Sequence, residues 1–359
     1  MNTTTANVNT KGAQFEVTDH LYREVEGVKL LGTLYRPLRQ EICPLVMEVH
    51  GGAWTANDRH TNAMIHRYLA ARGVAVFSID FRMPPAHPYP AALLDINYAT
   101  RWVKENAARF GSRRELVGGV ATSSGGHLLM LGLMRTLSGR YQPEADDLQE
   151  QDASLPYAVA CWPVLDPLAR YRWANERNNE RLISAHHAFW RDEAQMTDAN
   201  PLRMLQRGEE AWLANVLLLQ GTADANFNYR NTVDFAEAYR KAGGQVQLDL
   251  YEGAPHAFIK EDLPPEPATT ALACMHEFIQ RESARAGDVA RESRARLRER
   301  RATRPTRAGI GVGTAPLAGP EHRSAHALAG PARYRRQRHA GDAVPAGAVA
   351  VAEPGSTGA

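Results

Sequence analysis

Along the chain, apolar residues cluster in six short runs: LVMEV at 45–49, VAVFSI at 74–79, LVGGVA at 116–121, AVACWPV at 158–164, VLLLQ at 216–220 and VQLDLY at 246–251. Most are continuous rather than alternating, which is the pattern of strands buried on both faces in a parallel sheet covered by helices. Between them, apolar positions recur at helical spacing over 62–72, 90–109, 126–137, 230–242 and 267–281. Strand–helix alternation sustained from about residue 15 to 280 predicts an α/β fold: a mostly parallel, doubly wound central sheet with helices on both faces.

Two stretches break the alternation. Residues 168–208 are rich in Arg, Asn, His and Trp. The segment is too long for a simple connection and is expected to be a lid insertion over a binding site. Tyr171, Trp173, His186, His187, Phe189 and Trp190 are available either to line a pocket beneath it or to pack it onto the body. Arg170, Arg172, Arg177 and Arg181 are expected on a solvated face, with a substrate carboxylate as the alternative partner. The second break is the C-terminus. From about residue 286 it is Arg-, Ala-, Gly- and Pro-rich with almost no large apolar residues. Such a segment cannot offset its ordering entropy by burial and is expected to be disordered beyond a helical extension through Arg301. The predicted organisation is a flexible N-terminus at 1–14, an α/β domain at 15–285 and a tail at 286–359.

Composition adds three points. The net charge of +2 hides an asymmetry, because from Arg281 onward there are 15 Arg, no Lys and 7 acidic residues. An acidic body therefore carries a basic tail. The tail lacks interleaved aromatics, so a solvated extension is preferred to a nucleic-acid-binding arm. No apolar run approaches the ~20 residues of a membrane span, and the polar start MNTTTANVNTKGAQ has no apolar signal core, so a cytoplasmic location is expected. Cys43, Cys161 and Cys274 are far apart in apolar surroundings, which reads as buried free thiols rather than a disulfide or metal site.

The candidate chemistry begins with VATSSGGHL at 120–128, where a buried strand gives way to a helix. A serine on such a sharp turn projects above the sheet, and its neighbours at −2 and +2 must be small. Two registers compete. Ser123 as nucleophile has Ala121 at −2, and Ser124 has the larger, β-branched Thr122, so crowding favours Ser123. A helix-capping serine followed by glycines would look similar. VHGGAW at 49–54 places two glycines after another strand, where backbone N–H groups can face a developing oxyanion. Gly51, Gly52 and the N–H of Ser124 would make a three-donor hole, and Trp54 would supply an apolar wall for substrate. Asp224, in the loop after VLLLQ, can orient a histidine, with Asp166 as the rival acid. His256, in GAPHAF after the last strand, can bridge Asp224 to the serine. The chain order Ser123, Asp224, His256, each after its own strand, is a known triad order.

Together these segments resemble the α/β-hydrolase esterase/lipase group with an HGG oxyanion motif, which includes hormone-sensitive-lipase-like carboxylesterases and kynurenine-formamidase-like enzymes. The resemblance rests on HGGAW (50–54), DFRMPPAHPYPAALLD (80–95), ATSSGGHL (121–128), GTAD (221–224) and GAPHAF (253–258). It implies Ser123 as nucleophile, Asp224 as acid, His256 as base, and Gly51, Gly52 and Ser124 as the oxyanion hole. It also implies structural rather than catalytic roles for Asp80, Arg82 and Asp95. Ala121 replaces the common first glycine of the elbow. Ala53 replaces the third glycine of an HGGG motif, which points to the HGGxW variety rather than to lipases. The expected activity is two-step acyl transfer on carboxylic esters of small acyl or aryl substrates, with no metal or organic cofactor. An amide or formamide hydrolase is the alternative, and an inactive small-molecule binder ranks third. The expected partner is a small-molecule ester or amide, with no membrane involved and a nucleic-acid role through the tail ranked last. A homo-oligomer is compatible with the sequence.

Overall fold

The structure is a computed structural model. It describes residues 14–38, 41–143, 148 and 151–302, with side chains among these except at 294 and 297–302. The expected flexible N-terminus (apart from Gln14) and the tail beyond residue 302 lie outside the described residues.

Eight strands form one sheet: β1 (Phe15–Val25), β2 (Val28–Pro37), β3 (Leu45–Val49), β4 (Ala75–Ile79), β5 (Val117–Thr122), β6 (Tyr157–Cys161), β7 (Asn215–Gly221) and β8 (Val246–Tyr251). Their spatial order is β1-β2-β4-β3-β5-β6-β7-β8. β2 runs antiparallel to both its neighbours, and every other pairing is parallel. All residues of β3, β4, β5 and β6 are buried, which is why their sequences are continuously apolar.

The β1–β2 hairpin is absent from the six predicted strands. Its first strand, FEVTDHLYREV, is mostly half-buried at the sheet edge and carries charges throughout. The two-residue turn is Glu26-Gly27, with φ of 51° and 75°. That is the left-handed pair a tight hairpin needs, but its first position lacks the Asn or Asp that usually signals it. The run at 158–164 also ends earlier than expected. Trp162 turns to φ 39°, its N–H bonds Leu219 O at 2.6 Å, and Pro163 has no N–H to continue a ladder.

Helices cover both faces. α1 (Ala63–Ala71) packs on one side, with Ile65 and Leu69 against Val46 and Val76. On the other side α2 (Ala91–Asn106) and α3 (Ser123–Met134) set Leu93, Ile96 and Leu128 against Met47 and Phe77. Nearly every residue of α3 is buried, so this helix is apolar all round, as expected of a core helix. Each fully buried leucine or methionine on it contributes roughly 1.5–3 kcal/mol, making a rigid base for whatever its first residue carries.

The insertion folds as four short helices between β6 and β7: α4 (Pro167–Glu176), α5 (Glu180–Phe189), α6 (Glu193–Asp198) and α7 (Pro201–Gln206). Each begins on a side-chain cap, with Asp166, Asn179, Asp192 and Asn200 accepting the N–H three residues on. Proline fills the first position of α4 and α7, where no N–H is needed. α8 (Arg230–Lys241) packs Phe235 and Tyr239 into the same core as α3, and α9 (Pro265–Ala302) lays Leu272, Met275 and Phe278 beside α1. The α9 segment is extended at Glu266 and runs past the periodic stretch at 267–281 to Ala302, matching the expected helical extension through Arg301. Cys43 and Cys161 are buried free thiols, and Cys274 is a half-buried one. Among the described residues, no helix is long and apolar enough to cross a membrane.

Candidate active site

In a parallel sheet the loops after the strands gather at one edge. Val49 of β3 lies opposite Ala121 of β5, so His50, Gly51 and Gly52 leave the sheet alongside Thr122, Ser123 and Ser124. Ser123 opens α3 at φ 51°. A left-handed non-glycine residue costs roughly 1–2 kcal/mol, and that backbone turns its side chain out above the sheet. The turn has no spare room. A Cβ on Gly125 would lie 2.2 Å from Val49 O and 2.3 Å from His50 O.

Ser123 Oγ is 3.0 Å from His256 Nε2, and His256 Nδ1 is 2.7 Å from Asp224 Oδ2. A proton on Nδ1 donates to that carboxylate, leaving Nε2 as acceptor for the Ser123 hydroxyl. The Asp224 carboxylate is enclosed. It also accepts the Asn226 N–H at 2.8 Å and the Gln220 amide at 3.2 Å. Phe227 and Trp162 stand edge-on to the His256 ring. The three residues expected to act together are thus brought into one chain of hydrogen bonds. Ser124 is used differently, since its buried Oγ accepts the Trp54 N–H at 3.1 Å. The rival acid Asp166 caps α4 and takes the Asn200 amide at 2.6 Å.

The expected oxyanion donors need one correction. The strand register sets Gly51 beside Thr122, and the Gly51 N–H donates to Thr122 Oγ1 at 3.0 Å. Gly51 serves instead as space, because a Cβ there would lie 2.9 Å from Ser123 Cβ. Its carbonyl accepts from His50 Nδ1 at 2.7 Å, with the His50 ring stacked on Phe81 at 4.4 Å. A trans peptide places the next N–H on the opposite side from that carbonyl, so His50 fixes the direction of the Gly52 N–H. Gly52 has φ 111°, and a side chain there would collide with Ala56 O at 2.0 Å. Among the described residues the N–H groups of Gly52, Ala53 and Ser124 have no protein acceptor. Ala53 was overlooked because it stands where the HGGG motif would show a glycine. Its φ of 53° is the property that such a glycine serves.

Trp54 requires a second correction. It does not wall the cavity. At φ 68° its side chain turns into the core, 1% exposed. It stacks on Phe189 at 5.1 Å, meets His186 and Trp190 edge-on, and donates from Nε1 to His127 Nδ1 at 3.2 Å. The insertion's aromatics pack likewise: Phe189 and Trp190 are buried against Trp54, and Tyr171 bonds His187 at 2.9 Å. Burial pushes His127 down to about 4. Burial and then the charge of Arg170 push His186 down to about 3.

A cavity of about 380 Å³ opens over Ser123, lined by Gly52, Ala53, Trp162 and His256 from the body and by Arg170, Arg181 and Leu182 from α4 and α5. A larger cavity, about 590 Å³, lies under α9 beside Pro156, Trp212 and Asn215. It sits at the amino ends of the strands, away from every residue above. Beneath the elbow, Asn62 ties Thr122 Oγ1 to the buried Glu48, at 3.0 and 2.7 Å. Against the upward push of burial, hydrogen bonding from His66 and Ser78 holds Glu48 below its ordinary value. Asp80 and Asp95 serve as ion-pair anchors: Arg82 grips Asp95 through two nitrogens at 2.9 and 3.0 Å, and Arg59 holds Asp80 at 2.7 Å.

Residues 33–239 match the BD-FAE family, and residues 206–283 match the dienelactone hydrolase family. Esterase LipC from Mycobacterium tuberculosis is 26% identical over 253 residues, covering 67% of this chain and 60% of LipC. Lipase 2 from a Moraxella species is 28% identical over 234 residues, covering 58% of this chain and 53% of that protein. The match thus spans a little over half the length of these relatives. A thermophilic esterase from Thermogutta terrifontis superimposes with a TM-score of 0.61 at 23% identity, covering 76% of this chain and 96% of the other. That likeness gives the fold, an α/β-hydrolase.

Proposed function

The chain belongs to the BD-FAE family, and from that footing we propose that it is a serine hydrolase that cleaves carboxylic esters of small acyl groups. The observation that carries this reading is the hydrogen-bonded line from Ser123 Oγ through His256 to Asp224, at 3.0 and 2.7 Å. His256 Nε2 takes the Ser123 proton as Oγ bonds to the ester carbon, and the carbonyl π electrons move onto oxygen. The oxyanion accepts hydrogen bonds from the N–H groups of Gly52, Ala53 and Ser124, donors fixed before the reaction begins. Collapse breaks the bond to the alcohol oxygen, which leaves with the proton from His256. Water, deprotonated by His256 in turn, attacks the acyl-enzyme, and collapse breaks the bond to Ser123 Oγ, which takes that proton back from His256 as the acid leaves. Asp224 holds the imidazole in the required tautomer and stabilises its cation. A cavity of about 380 Å³ suits a small acyl group better than a lipid chain.

Labelling with a fluorophosphonate probe, followed by peptide mapping, tests the assignment. The expected result is a single modified residue, Ser123. Folded protein that takes no label, or takes it elsewhere, overturns the reading. Matched ester and anilide substrates then separate ester from amide hydrolysis.

A further inference from the structure

Arginines buried in this fold have partners. Arg82 is doubly bonded to Asp95, Arg135 to Glu209 at 2.9 and 3.1 Å, and Arg101 to Asn97 Oδ1 and Leu148 O at 3.0 Å each. Arg170 is the exception. It is 1% exposed, and its Nε and Nη2 are enclosed without any hydrogen-bond partner. Its guanidinium lies over the face of Trp54, 4.6 Å from the guanidinium carbon to the ring centre. A buried cation without a carboxylate is costly, so the fold retains this one against a penalty. Burial, and next the like charge of Arg181, pull the Arg170 guanidinium down to about 9.

The placement gives that cost a purpose. Arg170 forms part of the wall of the cavity over Ser123. It stands on the ring of the residue that follows the Gly52 and Ala53 donors. Two further cations, Arg181 and Lys260, line the same cavity, and among the described residues no Asp or Glu does. Asp224 is near enough to act on Arg170 electrostatically, but its carboxylate is already engaged with His256, Gln220 and Asn226. The cavity is therefore positive, and its most buried cation has donors to spare. A guanidinium offers a planar fork that matches two carboxylate oxygens.

We infer that the natural substrate is an ester carrying a carboxylate, and that Arg170 binds this carboxylate while Ser123 attacks the ester carbonyl. The inference rests on the serine-hydrolase reading and names its substrate class. Of the two roles open to the insertion's aromatics, Phe189 and Trp190 take packing onto the body, and the burial of Arg170 corrects the expectation that it lies on a solvated face.

The test uses the full chain and two matched pairs of esters. Monomethyl succinate against methyl butyrate places the carboxylate on the acyl side. 4-Acetoxybenzoate against 4-tolyl acetate places it on the alcohol side. A charge-assisted hydrogen bond left unmade in the neutral analogue is worth on the order of tenfold or more. The expected result is that the charged ester of at least one pair is preferred by about that factor in kcat/KM, mainly through KM. In Arg170→Met, which keeps an apolar stem against Trp54, that preference falls to near unity, and Arg170→Lys restores part of it. Loss of a merely structural brace would lower both esters of a pair together and leave their ratio intact. Equal rates within both pairs for the unmodified protein, or a preference that survives in Arg170→Met, overturns the inference while leaving the hydrolase assignment standing. If Arg170→Met does not fold, the ratio in the unmodified protein and in Arg170→Lys decides. If no ester turns over but Ser123 takes the phosphonate label, slower labelling with monomethyl succinate than with methyl butyrate supports the inference, and equal labelling overturns it. Absence of both turnover and label overturns the hydrolase reading, and the substrate inference with it.

Discussion

The adjacent serines make opposite demands, and substituting each alone separates chemistry from architecture. Ser123 is strained and reaches His256 at the edge of the cavity. Ser124 is buried, and its Oγ accepts the Trp54 N–H at 3.1 Å. In Ser123→Ala the lost hydrogen bond involves a part-exposed imidazole, so stability changes by about 1 kcal/mol or less. Removal of the nucleophile lowers kcat by a factor on the order of 10⁶. In Ser124→Ala the nucleophile remains, but a buried N–H loses its acceptor. That costs about 1–3 kcal/mol, and at about 2–4 °C per kcal/mol the midpoint of thermal unfolding falls by about 4–8 °C for a mid-range loss. Trp54 directly follows the Gly52 and Ala53 donors, and one oxyanion donor is worth roughly 10²–10³ in kcat. A loosened donor loop should therefore lower kcat by about 10–100-fold, not abolish it. Initial rates on 4-nitrophenyl acetate and thermal melts of the three proteins side by side give both readouts. The reasoning is refuted if Ser124→Ala is as inactive as Ser123→Ala with an unchanged melt, or if Ser123→Ala keeps more than about 1% of the rate.

Two further outcomes are expected. Asp224→Asn can turn its amide toward His256 Nδ1 and favour the wrong tautomer, so kcat should fall by about 10⁴ with little change in the melt; a loss under tenfold would mean that Asp224 does not orient the base. His127 and His186 are held neutral in the fold, near 4 and 3, whereas an unfolded histidine titrates near 6.5. The unfolded chain therefore binds more protons below pH 6.5, and stability present above that pH is lost as pH falls toward 4. The slope is about 1.4 kcal/mol per pH unit for each histidine, or about 4 kcal/mol for both between pH 7 and 5. Urea-unfolding midpoints measured across that range would contradict this if they stayed level.

Most of what was legible in the sequence followed from burial on both faces, as in β3, β4, β5 and β6, whereas β8 is a half-buried edge strand. The runs at 45–49 and 246–251 correspond residue for residue to β3 and β8, and the other four mark strands to within a few residues. The hairpin was illegible because an edge strand can carry charge at any outward position, as FEVTDHLYREV does. The residues that converge at Ser123 were legible because each follows its own strand, and strand order alone brings their loops to one edge. The backbone donors were harder to read, since residue type does not reveal which N–H is already engaged. Gly51 looks like a donor until the register sets it beside Thr122. Arg170 left a trace that was overlooked. With Pro167 and Ala174 it falls on the buried stripe of α4, at spacings of three and four, whereas Arg172 and Arg177 fall on the exposed side.

The chemistry and the walls of the site come from different parts of the chain, and Trp54 joins them. The groups proposed to react stand on loops after β3, β5, β7 and β8, held by strand register and by the apolar bulk of α3. The cavity's cationic wall is built by α4 and α5, short helices that depend on their caps and on a few aromatic contacts. The Trp54 N–H holds Ser124 at the elbow, while its ring is clasped by Phe189 and Trp190 at the end of α5 and lies against Arg170 on α4. A displacement of the insertion is thus passed to the donor loop through one rigid side chain rather than through a flexible connection. Closely packed interiors transmit such shifts instead of absorbing them. On the proposed reading, binding at Arg170 would reach the Gly52 and Ala53 N–H groups through Trp54, so that contacts remote from the ester carbonyl would contribute to kcat as well as to KM.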